Sequence, residues 1–274
     1  MELKKEKILR LLPELAPDRL IILEETDSTN LLAKRLAKDG APDGTVILAG
    51  RQTAGRGSAG RGFSSPEGGL YLTVLLRPEL APERLLLLTP MMAVAACEAV
   101  GQCCGFLPGI KWVNDLVRNG RKLAGLLAET TLAPDGTVSC VAAGVGINCD
   151  APAEALPGEL QRTAIGLREI TGEPTDQNAL AAALARQLLL ARDDLLAGKT
   201  ARWIARYREL CITPGNDVLV QSENGGYRAY AERVDDDGAL IVTDQTGTRR
   251  RIACGTVSVR GLYGYVDEEQ EGKR

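Results

Sequence analysis

Apolar and polar positions alternate along the chain in patterns that predict both strands and helices. Runs rich in leucine, isoleucine and valine predict three β-strands, at residues 20–25, 45–50 and 70–78. After the first run, Asp27 and Ser28 are good helix N-caps, and a helix over residues 29–38 is expected to end at Gly40. Further amphipathic or apolar stretches predict helices within residues 1–19 and at 82–104, 176–197 and 200–210.

The middle of the chain predicts an antiparallel meander of three strands, at residues 110–117, 122–130 and 138–147. Asn119 and Gly120 join the first two strands, and this pair suits a tight turn in which both residues need positive φ. With the period of two of a continuous strand, Lys111, Val113 and Asp115 are expected to share one face.

The pattern changes at Thr213, after which turn pairs such as Pro214-Gly215 and Asp237-Gly238 separate four short runs, DVLVQS, YRAYAERV, ALIVTD and RRRIACG, each predicted to form a strand. Strands of that length with such turns are typical of a small β-barrel. The sequence therefore predicts three parts, at residues 1–212, 213–266 and 267–274, of which the charged last part is expected to be disordered.

Composition narrows the class of protein. Apolar residues make up 45% and charged residues 25% of the 274 positions, and the net charge of −3 gives no overall signal for nucleic acid. The seven cysteines form no C-x-x-C pair, which indicates reduced thiols in a cytoplasmic protein. The N-terminus has no signal-peptide pattern, and Pro90 interrupts the longest apolar run, so no membrane span is expected.

The sequence contains no histidine. This absence excludes histidine-based catalytic triads, histidine general bases and histidine metal ligands. Chemistry must therefore depend on Lys, Arg, Asp, Glu, amide side chains and backbone groups.

The glycine-rich segment at residues 52–62, QTAGRGSAGRG, is the strongest candidate for anion binding. Glycines let backbone N–H groups approach an anion, and arginines supply forked donors to phosphate or carboxylate. Dinucleotide and Walker A loops are excluded, because no helix can follow directly and no Gly-Lys-Ser/Thr closes the loop. A flexible, basic surface loop is the alternative.

Three other segments have both a functional and a structural interpretation. Lys122 could form a charge clamp with the glycine loop, or it could be a solvated lysine on an exposed strand. The polar residues 26–30 could hold a polar ligand head or could cap a helix. Gly144 and Gly146 could mark the close approach of a ligand or another backbone, or a β-bulge.

The order of these segments is more specific than any one of them. ETDSTN, QTAGRGxxGR followed by SPxGGLY, KWxNDL, RKLAG and GxGIN occur in succession over residues 20 to about 150. That succession resembles the biotin protein ligase family, in the form without an N-terminal DNA-binding domain. The resemblance implies an α/β (α+β) fold with a mixed, largely antiparallel sheet flanked by helices. It also implies a class II aminoacyl-tRNA-synthetase-like catalytic domain (1–212) and an SH3-like C-terminal barrel (213–266).

The resemblance also implies a reaction and its participants. Biotin is activated with ATP and Mg²⁺ to biotinyl-5′-AMP, and biotin is then transferred to a lysine of a biotin carboxyl carrier protein. The expected catalytic residues are Lys122, Arg56 and Asp115, with Asp115 also the suggested Mg²⁺ ligand. The expected biotin-binding residues are Ser28, Thr29, Asn30, Gln52, Gly55, Arg56, Gly57, Ser58, Lys122, Gly144 and Gly146. The expected ATP-binding residues are Arg56, Arg61, Phe63, Lys111, Asn114 and Asn148.

Several positions depart from the family pattern. Ser58 and Ala59 stand where many members have arginine, Phe63 where tryptophan is common, and Val113 where proline is common. Loss of arginine removes positive charge from the loop over the adenylate. The sequence therefore leads to the hypothesis that the intermediate is held less tightly than in arginine-bearing relatives.

Two other functions are compatible with parts of this pattern. A lipoate–protein ligase or octanoyl transferase shares the catalytic fold, but the glycine–arginine loop and the C-terminal module favour biotin. A non-catalytic biotin sensor would not need the charges of Lys122 and Arg56. We expect a ligase with no DNA-binding or repressor role, no membrane partner and, through an exposed sheet edge, a homodimer as one oligomeric option.

Overall fold

A computed structural model describes residues 3–222, 225–253 and 258–261 of the chain. These residues form two β-sheets, one of seven strands and one of five, with helices packed on the larger sheet. The charged segment 267–274, for which disorder was expected, lies outside the described residues, as does Cys254. The described cysteines are all free thiols.

The larger sheet is mixed and largely antiparallel, as the sequence predicts. Its strands are β1 (Leu20–Thr26), β2 (Thr45–Gln52), β3 (Leu70–Leu76), β4 (Gly109–Lys111), β5 (Asp115–Arg118), β6 (Arg121–Leu132) and β7 (Val138–Ile147). They lie in the order β1-β2-β3-β7-β6-β5-β4. β1 and β2 are parallel, and every other neighbouring pair is antiparallel.

Helices cover both faces of this sheet. They are α1 (Lys5–Leu11), α2 (Thr29–Lys38), α3 (Leu88–Cys104), α4 (Gly158–Thr163), α5 (Leu167–Thr171), α6 (Gln177–Leu196) and α7 (Ala201–Leu210). α3 and α6 pack against each other and on one face, where they bury the main apolar core. α2 packs on the opposite face over β2, β3 and β7, and a smaller apolar cluster lies beneath it.

The most apolar helical stretch belongs to the core. Of the chain that is described, Pro82–Cys104 is the one helical segment long and apolar enough to cross a membrane, yet 67% of its apolar window is buried inside the protein. Gly105 ends α3 with a φ of 73°, a left-handed conformation that suits glycine. Burial around nearly the whole circumference of this helix explains its apolar sequence.

The expectation of one continuous strand over residues 110–117 is wrong. Residues Trp112–Asn114 form a turn, so β4 and β5 are two short strands paired antiparallel with Lys111 opposite Asp115. The Trp112–Val113 peptide bond in this turn is cis. The apolar alternation continues through the turn because Trp112 is buried against other parts of the chain, which is why the pattern alone does not reveal the break.

The next turn follows the prediction. Asn119 and Gly120 connect β5 to β6 with φ values of 51° and 69°, as a two-residue hairpin turn requires. β6 then pairs with β7 over nearly its whole length, which confirms the β5-β6-β7 meander. This meander brings Lys122, at the start of β6, next to Asp115 in β5.

The C-terminal part forms an antiparallel sheet of short strands. They are β8 (Asp217–Ser222), β9 (Gly225–Val234), β10 (Leu240–Asp244), β11 (Arg249–Ile252) and β12 (Ser258–Gly261), in the order β11-β10-β9-β8-β12. The sequence predicts the first four of these strands but not β12. The Trp112 indole N–H donates to the Gly238 carbonyl at 3.0 Å, and the Arg208 guanidinium donates to the Val234 carbonyl at 3.0 Å, so the smaller sheet is joined to the larger part by buried and half-buried polar contacts.

Candidate active site

A cleft lies on the α2 face of the larger sheet, where the start of α2 and the glycine loop meet the central strands. Its empty volume is about 300 Å³, and it is lined by Ser28, Thr29, Asn30, Gln52, Arg56, Phe63, Tyr71, Gly125, Leu127, Gly144, Val145 and Gly146. Seven of the eleven residues expected to hold biotin therefore line one cleft. A larger cavity between the ends of α3 and α6, with an empty volume of about 1100 Å³, contains none of the residues predicted for the site.

The two glycines of β7 form the floor of the cleft. The pairing of β7 with β3 and β6 continues without a register shift at Gly144 and Gly146, so the β-bulge alternative does not apply. A Cβ on Gly144 would lie 2.2 Å from the Asn30 amide oxygen, and one on Gly146 would lie 2.5 Å from the Phe63 ring. Glycine is required at both positions because other side chains of the site approach the strand closely.

Residues at the start of α2 both cap the helix and supply polar side chains to the cleft, which are the two roles that the sequence left open. The Ser28 hydroxyl accepts a hydrogen bond from the Leu31 N–H at 3.4 Å, so this residue is the helix N-cap. Asp27 accepts from the Ser28 N–H at 2.7 Å and pairs with the Arg35 guanidinium, and the hydrogen bond from Arg35 holds the pKa of Asp27 well below its ordinary value. These hydrogen bonds fix the start of α2, and the Thr29 and Asn30 side chains then line the cleft.

A continuous hydrogen-bond network connects these polar side chains. Gln52 accepts from the Thr29 N–H at 2.9 Å and donates to the Ser65 hydroxyl at 2.8 Å. The Thr73 hydroxyl lies 2.8 Å from the Thr29 hydroxyl and 2.7 Å from the Asn30 amide oxygen. Because these side chains are buried or half-buried and bonded to one another, their orientations are set before any ligand enters.

The glycine loop is held in a compact hairpin-like form. The Gly57 N–H donates to the Arg61 carbonyl at 2.8 Å, and the Phe63 N–H donates to the Gly55 carbonyl at 2.9 Å. A Cβ on Gly55 would lie 2.3 Å from the Phe63 carbonyl oxygen, so a larger residue would force the loop apart. Ser58 accepts from Arg61 at 3.0 Å, and both are on the outer part of the loop.

The two predicted catalytic cations lie at the cleft. Arg56 lines the cleft, and its guanidinium pairs with the Glu129 carboxylate at 3.2 Å. The Lys122 ammonium pairs with the Asp115 carboxylate at 2.7 Å and lies 5.5 Å from the centre of the Phe63 ring. A Cβ on Gly125 would lie 3.1 Å from the Lys122 ammonium, which places this nitrogen at the edge of the cleft.

The residues predicted for ATP lie beside this edge, and two of them brace the strands. The Asn114 amide donates to the Leu126 carbonyl at 2.8 Å, and the Asn148 amide donates to the Lys122 carbonyl at 3.2 Å. Lys111 is buried opposite Asp115 in the β4–β5 pair. Asn148 thus contacts the Lys122 backbone, Lys111 lies opposite the Asp115 that pairs with Lys122, and Asn114 is bonded to the same strand as Lys122. Arg61, by contrast, points to Ser58 outside the cleft lining.

Sequence reasoning missed four residues that line the cleft, namely Tyr71, Gly125, Leu127 and Val145. It also missed Glu129, which contacts the lining residues Asn30 and Arg56 from β6. Side chains alternate between the two faces of a strand, so counting in twos along β6 from Gly125 places Leu127 and Glu129 on the same face. In the structure these three residues lie opposite alternate residues of β7, namely Gly146, Gly144 and Ala142. Tyr71 stands in the SPxGGLY motif; its hydroxyl donates to the Pro66 carbonyl at 2.7 Å, and burial raises its pKa well above the ordinary value.

Comparisons with known proteins agree with this geometry. A model of the "Biotin/lipoate A/B protein ligase family" matches residues 22–148. The biotin–[acetyl-CoA-carboxylase] ligase of Paracoccus denitrificans is 33% identical over 233 residues, which cover 82% of this chain and 95% of the relative. The bifunctional ligase/repressor BirA of Bacillus subtilis (strain 168) is 31% identical over 243 residues, which cover 86% of this chain and 73% of the relative.

The solved structures give the same result for the fold. The biotin protein ligase from Aquifex aeolicus, determined in complex with biotin and ATP, superposes with a TM-score of 0.76 at 28% identity. The match covers 89% of this chain and 99% of that chain. The chain belongs to the biotin/lipoate A/B protein ligase family, and its matched relatives are biotin protein ligases. The family assigned from the order of the sequence motifs is therefore confirmed.

Proposed function

We propose that this chain is a biotin protein ligase that activates biotin with ATP and transfers it to a carrier lysine. The observation that carries the proposal is the placement of Lys122 and Arg56 on two sides of one cleft whose floor is glycine and apolar side chains. The relatives bear the names of biotin ligases, and the structure from Aquifex aeolicus was solved with biotin and ATP. The products are biotinyl-5′-AMP with pyrophosphate in the first step and biotinylated carrier with AMP in the second.

The chemistry suits a protein without histidine. The biotin carboxylate and the ATP phosphates are both anionic, so the barrier to their reaction is largely one of charge and orientation. Lys122 and Arg56 supply positive charge at the two sides of the cleft. The acceptor lysine amine is itself the nucleophile in the second step, so no covalent enzyme intermediate is required.

We assign the biotin end of the cleft to the network around α2 and to the floor of β7. Ser28, Thr29, Asn30 and Gln52 present polar groups in fixed orientations, as suits a ligand with a ureido ring. Gly146 leaves room for the ring system above the strand once Phe63 moves aside, and Gly144 lets the Asn30 amide lie against the strand beside that space. Gly55, Gly57 and Ser58 belong to the loop that covers the carboxylate end.

We assign the nucleotide to the region around β4, β5 and the end of β7. Lys111, Asn114 and Asn148 lie near Lys122 and are candidates for contacts with phosphates and adenine. Phe63 offers an aromatic face beside Lys122, while Arg61 would need to leave Ser58 to reach a phosphate. These ATP contacts stay predictions.

Asp115 is our candidate for helping to deprotonate the acceptor amine. Its carboxylate is 18% exposed and accepts from the Lys122 ammonium at 2.7 Å, so it lies beside the expected reacting carboxyl group. A carboxylate in that position can orient an incoming amine and accept its proton. Its role stays a prediction.

Magnesium is best described as part of the substrate. Among the described residues, no group of three or more acidic or cysteine side chains is arranged to hold a metal ion, and Asp115 is engaged by Lys122. Mg²⁺ commonly keeps several waters and binds through substrate phosphates with one or two carboxylates. We therefore propose that Mg²⁺ enters with ATP, and direct ligation by Asp115 stays a prediction.

Further proposals concern the molecule as a whole. We propose a class II aminoacyl-tRNA-synthetase-like catalytic domain over residues 1–212 and an SH3-like barrel over 213–266; the five short antiparallel strands support the second assignment. The proposed partner is a biotin carboxyl carrier protein of a biotin-dependent carboxylase such as acetyl-CoA carboxylase. A cytoplasmic location is supported by the free cysteines. A homodimer stays a prediction.

The test of this proposal compares biotin with lipoate, because the family includes ligases for both. Pyrophosphate release is measured with MgATP and either acid, using the wild-type chain and Lys122→Ala. We expect release with biotin, little with lipoate, and a loss of at least about a hundredfold in the variant. Release with lipoate and not with biotin would overturn the assignment of substrate, and no release with either acid would overturn the activity.

A further inference from the structure

Glu129 lies at one end of the cleft, on β6, and joins three separate elements. It accepts from the Asn30 amide at 2.9 Å and from the Lys34 ammonium at 2.7 Å, both on α2. The same carboxylate pairs at 3.2 Å with Arg56 of the glycine loop. One side chain of the sheet therefore binds both the helix and the loop that enclose the cleft.

The environment keeps this carboxylate charged. The Glu129 side chain is only 13% exposed, and burial by itself would raise its pKa. The hydrogen bonds from Lys34 and Asn30 and the charges of Lys34 and Arg56 outweigh burial and leave the pKa below its ordinary value. The Glu129 carboxylate thus faces two cations, Lys34 and Arg56, and the three side chains together carry one net positive charge beside the cleft.

The contact with Glu129 fixes the position of Arg56 in a way that the loop itself does not. The backbone bonds of Gly57 and Phe63 close the loop on itself, whereas the Arg56–Glu129 pair joins the loop to β6. The guanidinium has five N–H donors in a planar fork, so an edge that pairs with Glu129 leaves others for a second anion. Arg56 lines the cleft while it is held in this way.

We propose that Glu129 is a positioning residue that tethers Arg56 over the cleft, with part of its guanidinium directed at the anionic end of the substrate. Glu129 contacts no substrate in this arrangement and acts through Arg56. The inference rests on the proposed function for the identity of that anion, which is the biotin carboxylate or the α-phosphate formed next to it. The tether itself depends only on the contacts within the chain.

A double-mutant cycle of Arg56→Ala and Glu129→Gln tests whether the two residues act together. Glutamine keeps the size of the side chain and an acceptor for Asn30 but removes the charge that attracts the guanidinium. We expect Glu129→Gln to lower kcat/KM for biotin-dependent pyrophosphate release about tenfold in the wild-type background and less than about twofold in the Arg56→Ala background. Equal losses in both backgrounds would mean that Glu129 stabilises the fold and does not act through Arg56.

Glu25→Gln is the matched control. Glu25 pairs with Arg51 at 3.1 Å, at the base of the same loop, and both side chains are 50% exposed. Removing this pair takes away one carboxylate next to an arginine that directly precedes the loop, and neither residue lines the cleft. We expect less than about a twofold change in kcat/KM, because exposed ion pairs contribute little. A loss as large as that of Glu129→Gln would attribute the effect to net charge and would overturn the tether.

Hydrogen exchange of the ligand-free protein separates the tether from the proposed activity. We expect the backbone amides of residues 55–62 to exchange at least about threefold faster in Glu129→Gln than in the wild type, with no such change in Glu25→Gln. Unchanged exchange in Glu129→Gln would overturn the tether whatever the enzyme does. If Glu129→Gln exchanges faster but the wild-type chain releases no pyrophosphate with biotin, the proposed function is overturned and the tether stands.

Discussion

At the residue scale, the site depends on positions where no side chain is tolerated. The sequence predicts that Gly144 and Gly146 allow a close approach, but it cannot name what approaches. The structure identifies the Asn30 amide above Gly144 and the Phe63 ring above Gly146. These partners are separated from the glycines by 114 and 83 positions in the sequence, and contacts over such distances depend on the fold rather than on local pattern.

Gly144→Ala tests this packing. The added methyl group would meet the Asn30 side chain, which Glu129, the Leu127 carbonyl and Thr73 hold in place. We expect the free energy of unfolding to fall by about 1–3 kcal/mol, because overpacking forces side chains out of their preferred positions. Urea denaturation measures the change.

Gly158→Ala is the control for Gly144→Ala. Gly158 begins α4, and a Cβ there would meet no atom within 4 Å. We expect a change of less than about 0.5 kcal/mol. If both variants lost the same stability, close packing against Asn30 would not be the reason that glycine is needed at position 144.

At the scale of elements, the glycine loop shows both what a sequence pattern can predict and where it fails. Its composition predicts an anion-binding loop, and its order among other motifs identifies the family. The contact of the loop with Glu129 is not predictable, because the sequence of β6 has the pattern of an ordinary strand and does not indicate which residues its side chains contact. The turn at Trp112–Asn114 was missed for a related reason: burial of Trp112 against distant residues maintains the apolar pattern through the turn.

Ser58→Arg tests whether the loop of this chain holds the adenylate less tightly than arginine-bearing loops do. The variant adds a cation to the loop, and we expect it to lengthen the lifetime of the enzyme-bound adenylate about tenfold, within the range of one charge-assisted hydrogen bond. Quenched-flow trapping without carrier measures the lifetime. An equal lifetime in the wild type and the variant would contradict the hypothesis.

Ser58→Ala is the control for this experiment. It removes the contact of the Ser58 hydroxyl with Arg61, as Ser58→Arg also does, but adds no charge. We expect the adenylate lifetime of Ser58→Ala to stay within about twofold of the wild type, because the lost contact is exposed. A longer lifetime in both variants would attribute the effect to release of Arg61.

At the scale of the whole molecule, the sequence predicts most of the strands and helices and the β5-β6-β7 meander, and the family resemblance implies the mixed sheet flanked by helices. It does not predict how the C-terminal sheet meets the larger part. The Trp112 indole donates to the Gly238 carbonyl, the Trp112 N–H donates to the Thr213 hydroxyl at 2.8 Å, and Tyr207 donates to the Val113 carbonyl at 3.2 Å. The turn Trp112–Asn114, which directly precedes Asp115, is thus fixed by residues near or within the C-terminal part.

Trp112→Phe tests this junction. The variant keeps an aromatic ring but removes the buried hydrogen bond from the indole N–H to the Gly238 carbonyl, and the loss of such a bond costs about 0.5–1.5 kcal/mol. We expect faster proteolytic cleavage within residues 213–253, which limited proteolysis with mass spectrometry measures. Trp203→Phe removes a buried indole bond of the same kind, to Asp194 at 2.7 Å, that involves no residue of the C-terminal part, and should not increase cleavage there. Equal cleavage in both variants would contradict a specific role for Trp112.

The central claim is that this chain transfers biotin to a carrier lysine through chemistry that depends on Lys122. Its most direct test incubates the purified chain with biotin, MgATP and a biotin carboxyl carrier domain, and then measures the mass of the carrier. We predict a gain of one biotinyl group that is lost without ATP and with Lys122→Ala. An unchanged carrier mass with an active wild-type fold, or full biotinylation by Lys122→Ala, would contradict the claim.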